Sequence, residues 1–256
     1  MAEISIITPA FNAEKTIRET VESVKKQTFT DWEMIIVDDC STDKTASIVL
    51  DLIKEDGRIK LLSLAENQGV AKARNEALKI ATGRFIAFVD SDDLWTENKL
   101  MRQREIMLSN GYALTYTAYA VLKTDGHGES VAGKSFIKVP KKMTYKKIFY
   151  NTSIACLTVM VDKQKTGEFY MAEIEHTEDQ CAWQQALKNA NTYAVGINEN
   201  LAFYRVGGKS LTANKKKAAR LQWKTYREYH KFGLLKSAVY FFLYAAGALL
   251  RRLRAK

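Results

Sequence analysis

Phe85-Ile86-Ala87-Phe88-Val89-Asp90-Ser91-Asp92-Asp93 is an apolar run closed by acids, and its reading decides the fold. A run this short, preceded by Gly83, reads as a buried strand rather than a helix. In an open α/β sheet, ligands gather beyond the carboxyl ends of strands. Asp90 and Asp92 are two residues apart and share one face of an extended segment. Such a pair suits a hard divalent cation that bridges to phosphate oxygens. By itself, an Asp-x-Asp favours a plainer reading, a capped strand-to-helix turn with Asp93 or Thr96 opening the next helix. The rest of the chain weighs against that.

Upstream, strands and helices alternate. The patterning predicts strands over Ile4–Thr8, Glu33–Val37, Ile59–Leu64 and Arg84–Val89, with helices over Ala13–Lys26, Lys44–Lys54 and Val70–Ala81. Alternation of this kind builds βαβ units and a mostly parallel sheet with helices on both faces. Beyond about residue 110 the rhythm changes. Ala113–Leu122 alternates like a strand, Lys123–Lys134 is a polar hairpin, Cys156–Val161 reads as a strand and Thr177–Lys188 as a helix. The expected organisation is a catalytic unit over 1–212, with a nucleotide-binding half to 110 and an acceptor half from 111. A basic and apolar helical tail over 213–256 follows.

The chain has 256 residues, 46% of them hydrophobic, which fits one sizeable α/β domain and excludes a disordered or polytopic membrane protein. A net charge of +10 admits nucleic acid, an anionic membrane or a phosphorylated substrate as partner. The cations concentrate late, in Lys215-Lys216-Lys217, Arg220, Arg251-Arg252, Arg254 and Lys256, while the acids collect at strand ends. That asymmetry, with no nucleic-acid recognition motif, favours a membrane-facing tail over a nucleic-acid groove. Cys40, Cys156 and Cys181 have no metal spacing and read as reduced thiols of a cytoplasmic protein. Ile4–Ile7 is too short for a signal peptide.

Three strands end in phosphate-friendly sequence: Thr8-Pro9-Ala10-Phe11-Asn12, Asp38-Asp39-Cys40-Ser41-Thr42-Asp43 and Asp90–Asp93. Between them lies Asn67-Gln68-Gly69-Val70-Ala71-Lys72-Ala73-Arg74-Asn75, with Gly69 at a tight turn. Together with Thr177-Glu178-Asp179-Gln180-Cys181-Ala182-Trp183 and Tyr204-Arg205-Val206-Gly207-Gly208-Lys209, these motifs resemble the inverting family 2 glycosyltransferases, in order and spacing over residues 3–212.

The resemblance implies the GT-A nucleotide-diphospho-sugar transferase fold and a bacterial surface-polysaccharide role. It implies a nucleotide-sugar donor, a UDP-sugar above others, and a polyprenyl-diphosphate-linked or polymeric glycan acceptor. It places Thr8, Pro9, Phe11, Asp39, Gly69 and Arg74 at the nucleotide, with Asp39 accepting from the base's ring N–H. Asp38 or Asp43 is then left to cap the following helix. It makes Asp92 a ligand of Mn2+ or Mg2+, Asp90 a ribose or metal neighbour, Asp93 a helix cap and Asp179 the general base. Arg205 and Lys209 fall in a mobile loop that closes over the diphosphate. Gly207 stands where relatives often carry a histidine. No Gln-x-x-Arg-Trp follows Trp183, which argues against a processive synthase.

Two other classes compete. A sugar-1-phosphate nucleotidyltransferase would need a Gly-rich triphosphate loop after the first strand, where this chain has Thr8–Asn12. A non-catalytic nucleotide-sugar-binding membrane protein has no need of both Asp92 and Asp179. Gln222–Leu250 reads as one helix. Its apolar stretch Ser237–Leu250 is too short to span a bilayer, which takes ~20 residues. Helical, it is apolar all round, so an interfacial seat at the inner face of the membrane competes with packing on the protein. The interfacial reading implies that truncation before Ser237 spares transfer to a soluble acceptor.

Overall fold

The computed structural model describes residues 2–124, 130–206 and 215–254. The first half runs β1 (Ile4–Ala10), α1 (Ile17–Lys25), β2 (Trp32–Asp38), α2 (Thr45–Glu55), β3 (Ile59–Ser63), α3 (Val70–Ile80) and β4 (Phe85–Phe88). Every residue of β1, β2 and β4 is buried, as expected of central strands covered on both faces. Helix α1 buries Ile17, Thr20, Val21 and Val24, the i, i+3, i+4, i+7 stripe that seats a helix on a sheet.

The acidic turn after β4 contains a two-residue strand, β5 (Leu94–Trp95), before α4 (Lys99–Asn110). Then follow β6 (Leu114–Thr124), β7 (Ser130–Ile137), β8 (Lys142–Thr144), α5 (Tyr145–Ile148), β9 (Met160–Asp162), α6 (Lys163–Thr166), α7 (Glu178–Asn189) and β10 (Tyr193–Val206). The C-terminal segment comprises α8 (Lys215–Lys224), a π-helical turn over Thr225–Tyr229 and α9 (Leu234–Arg254).

Among the described residues, ten strands form one sheet in the order β3-β2-β1-β4-β9-β6-β10-β5, with β7 on β6 and β8 on β10. The β3-β2-β1-β4 block is parallel, as predicted. The far side is mixed, because β9 runs antiparallel to both β4 and β6 while β10 is parallel to β6. Apolar side chains of α1, α2 and α4 fill one face and those of α3 and α7 the other. Strand order reverses beside β1, so β1 and β4 diverge into opposite loops there and leave a crevice at their carboxyl ends.

Three sequence readings are corrected. Cys156–Thr158 is a 3-10 turn, and only Met160–Asp162 of the predicted strand pairs. The tail is not one helix, since the π turn and the break at 230–233 separate α8 from α9. Strand β10 was not assigned from sequence at all.

Candidate active site

The wall of the site beside β1 and β2 is made by two turns with unusual backbone. Asn12 and Cys40, just past β1 and β2, have φ of 50° and 61°, a region few non-glycine residues occupy. The turns are laced together, with Asn12 N donating to Ser41 Oγ at 2.9 Å and Thr42 N donating to Asn12 Oδ1 at 2.9 Å. Asp43 accepts from Thr45 N at 2.9 Å and so takes the cap of α2, while Asp38 accepts from Ser41 N at 3.3 Å. Asp39 is thereby free of capping, as the sequence reading required.

Asp39 instead clamps the turn before α3. Its Oδ1 accepts from Gln68 N at 2.7 Å and its Oδ2 from Gly69 N at 2.8 Å. Gly69 has φ 86°, which permits that approach. Each carboxylate oxygen keeps a second lone pair for a ligand.

Arg74 is the hub of the site. Its side chain is 5% exposed, and its Nη2 donates to Asp90 Oδ1 at 2.6 Å while Nη1 reaches Glu178 Oε1 at 3.4 Å. The pair with Asp90 is thus buried in the wall rather than lying on the surface. Burial opposes its charge, yet the carboxylates of Asp90 and Glu178 outweigh that and hold its pKa well above the usual value. One guanidinium thus joins the strand end that carries the Asp-x-Asp to the helix that carries the proposed base.

Asp92 lies at that same strand end. Burial, then the negative charge of Asp90, push its carboxyl above the ordinary range. A hard cation would relieve this charge excess, and an all-oxygen donor pair suits Mn2+ or Mg2+. Among the described residues no set of three or more Asp, Glu, His or Cys side chains forms a ready metal cluster. Most of the coordination sphere would therefore come from diphosphate and water, as is usual for Mg2+.

Asp93 is not a helix cap. It is buried and accepts from Arg205 N at 2.8 Å, while Asn98 opens α4. Burial and the nearby charges of Asp90 and Asp92 raise its pKa strongly. Arg205 ends β10 and is docked rather than loose. Its Nε donates to Asp92 O at 2.6 Å and its Nη2 to Glu19 Oε2 at 2.6 Å. Gly207, Gly208 and Lys209 lie outside the described residues.

Asp179 sits in the first turn of α7. One helical turn on, Trp183 is fully buried, with its ring 5.1 Å from that of Phe88 in β4 and 6.2 Å from that of Phe169. Residues four apart share a helix face. Burying this indole therefore fixes α7 on the sheet and leaves Asp179 at the sheet's carboxyl edge. Burial and the neighbouring Glu178 carboxylate push Asp179 up to about 7, with Arg74 acting in the opposite sense.

One cleft of about 1130 Å³ gathers these groups. Pro9, Phe11, Asp39, Arg74, Asp90, Asp92, Asp179 and Arg205 all line it. Phe11 is 50% exposed at its rim. Thr8 and Gly69 do not line it. Thr8 is fully buried inside β1 and registers with Ile36, and Gly69 acts through Asp39.

The opposite wall was invisible to sequence. It comes from Thr152–Leu157, Tyr119, Tyr204, His176 and, on the C-terminal segment, Ala218, Ala219, Tyr244, Ala245, Ala248 and Leu249. The spacing of Tyr244, Ala245 and Ala248 marks one face of a helix, but nothing local says what that face meets. Because α9 lines the cleft, cutting the tail away would remove part of that wall.

A family profile described as glycosyl transferase family 2 matches residues 5–165. The chain is 43% identical over 250 residues to a Bacillus subtilis protein named as a teichuronic acid biosynthesis glycosyltransferase, covering 98% of this chain and 97% of that one. It is 41% identical over 220 residues to an Escherichia coli UDP-Glc:alpha-D-GlcNAc-diphosphoundecaprenol beta-1,3-glucosyltransferase, covering 86% of this chain and 83% of that one. Among solved structures, Staphylococcus aureus TarS 1–349 in complex with UDP-GlcNAc superposes with a TM-score of 0.68 at 25% identity. That alignment covers 97% of this chain and 72% of that one.

Proposed function

The chain belongs to glycosyl transferase family 2 and has the GT-A fold, and from that premise we propose an inverting transfer of sugar from a UDP-sugar to a hydroxyl of a lipid-linked or polymeric glycan. The observation that carries this reading is the Arg74 bridge. By pairing with Asp90 and Glu178 it ties the strand end that carries Asp90 and Asp92 to the first turn of the helix that carries Asp179, which supports reading the three carboxylates as one site.

Asp39, Pro9 and Phe11 hold the uridine, with Phe11 offering a ring at the rim. Asp92, with Asp90 beside it, would hold Mn2+ or Mg2+, which would neutralise charge on the departing diphosphate. Arg205 complements that diphosphate from β10, joined by Lys209. Asp179 takes the acceptor's proton as its oxygen attacks the anomeric carbon from the face opposite the leaving group. One base suffices for inversion. The sequence similarity to a glucosyltransferase for a GlcNAc-diphosphoundecaprenol supports an acceptor of that class in surface-polysaccharide synthesis.

The direct test offers purified enzyme a panel of UDP-sugars with Mn2+ or Mg2+ and a synthetic polyprenyl-diphosphate-linked sugar, and analyses products by mass and anomeric configuration. A β-linked product from an α-linked UDP-sugar, lost on chelation and restored by metal, is expected. Nucleotide transfer to a sugar-1-phosphate, or no turnover with any donor, would refute the reading.

The tail is proposed to seat the enzyme at the inner face of the membrane without crossing it. Among the described residues no helix is long and apolar enough to span a bilayer. Helix α9 packs one face inward, where Tyr240 meets Phe149 and Phe232 at 4.9 and 5.6 Å, and presents another outward. Leu235, Val239 and Phe242 form that outer row, with Leu235 81% and Phe242 72% exposed. Arg251, Arg252, Arg254 and Lys256 follow it in sequence. Each basic residue near an anionic surface contributes ~1 kcal/mol, and a large apolar side chain ~1.5–3 kcal/mol on burial. Phe242→Ser is therefore expected to weaken binding to phosphatidylglycerol vesicles about tenfold or more. High salt should weaken the wild type further, and neutralising the terminal cations should remove that salt dependence. Co-sedimentation unchanged by Phe242→Ser would assign the outer row to something other than lipid.

A further inference from the structure

Two ties run from the C-terminal segment to the turn that presents Asp179. Lys217 of α8 pairs with Glu175 at 2.5 Å. Deeper in, Thr177 Oγ1 lies 2.7 Å from Thr225 Oγ1, and both residues are buried. Thr225 Oγ1 also donates to Leu221 O at 3.0 Å, which uses its one proton. In the Thr–Thr contact, therefore, Thr177 donates and Thr225 accepts.

The turn between these ties has a backbone that does not hold itself. His176 has φ 84°, outside the range most side chains tolerate, and persists only where surrounding structure over-determines it. Thr177 opens α7 without a side-chain cap of its own helix. Its hydroxyl meets Cys181 within α7 and, from outside that helix, Thr225, 48 residues on at the first position of the π turn. π-helical turns of this kind are found at functional positions more often than chance would place them. The family profile ends at residue 165, so both partners lie beyond it.

We propose that Thr225 is a positioning residue for the transfer reaction: through Thr177 it fixes the strained turn that aims Asp179 into the cleft. This rests on Asp179 being the base. The C-terminal segment then completes the catalytic geometry as well as walling the cleft. Thr225 does not line the cleft, so its loss should act on the rate of the chemical step and not on donor binding.

The test compares Thr225→Val, Thr177→Val, the double variant, Thr225→Ser and Asp179→Asn, each checked for folding by circular dichroism. Removing one buried positioning hydrogen bond should lower kcat about tenfold, with donor KM and UDP affinity within about twofold of wild type. The double variant should be no slower than either single, because one contact is lost in both. Thr225→Ser, which keeps the hydroxyl, should recover most of kcat. Losses that multiply in the double variant, a kcat untouched by Thr225→Val, or a donor KM that rises in step would each overturn the proposal. If Thr225→Val does not fold, Thr177→Val reads the same contact from its other side. An active Asp179→Asn would refute the base assignment instead, whatever the threonine variants do.

Discussion

Asp179→Asn is expected to lose ~10²–10⁴-fold in kcat while binding UDP-sugar as the wild type does, since a near-isosteric amide cannot take a proton. The environment makes this carboxylate a usable base. Burial and Glu178 raise it to about 7, so it is basic enough to accept a proton yet still substantially ionised at neutral pH. Only the ionised form works, so the wild-type rate should rise with pH through a limb centred near 7. Glu178→Gln removes the larger of the two neighbouring charges that, with burial, raise Asp179, and it releases Arg74 from one partner. Both changes favour the carboxylate, so the limb should move to lower pH. Steady-state pH profiles of the three proteins decide this. Normal turnover by Asp179→Asn with a dead Glu178→Gln would transfer the role to Glu178.

Asp92→Ala is expected to abolish transfer and to remove the metal dependence of UDP binding, without unfolding the protein. A carboxylate whose pKa is raised in the folded state above its unfolded value costs stability once it ionises, and that cost grows as pH rises through the folded pKa. For Asp92 the cause is burial beside Asp90, so its removal should leave the melting temperature of the metal-free protein unchanged or higher. That combination separates a functional acid from a structural one. Calorimetry with UDP and Mn2+ reads the binding, and a thermal melt reads the stability. Unchanged UDP affinity and metal dependence in the variant would take Asp92 out of the metal site.

The first half of the fold was legible because its signals are local. Asp39, Gly69, Asp90 and Asp92 each sit where a buried apolar run stops or a turn demands glycine, and three of the four line one cleft. The second half hides its signals. Strand β10 alternates poorly, breaks register twice between Ile197 and Ala202, and exposes part of both faces, so no period of two survives. Cys156–Thr158 is apolar and β-branched at its edges, yet the chain coils there to bring Cys156 and Leu157 to the cleft. Asp93 was misread because its partner is the backbone of Arg205, 112 residues away. Thr8 is buried away from the cleft because a strand's last polar residue can face the core as easily as a ligand. The wall built by α8 and α9 is a tertiary fact, since nothing in Ala218 or Ala248 announces what it packs against.

The strand order has a consequence for how the chain reaches this state. The outer edge of β4 is completed by β9, more than 70 residues later, and β6 is flanked by β9 and by the still later β10. A nascent chain ending near residue 110 therefore exposes an apolar strand edge with no mate, a template for aggregation. Pairings so distant in sequence must meet the entropy of loop closure before they return anything, which makes acquisition of the native topology slow. The stretches before and after residue 110 are consequently regions of one cooperative unit, and neither is a module that could be exchanged between enzymes there.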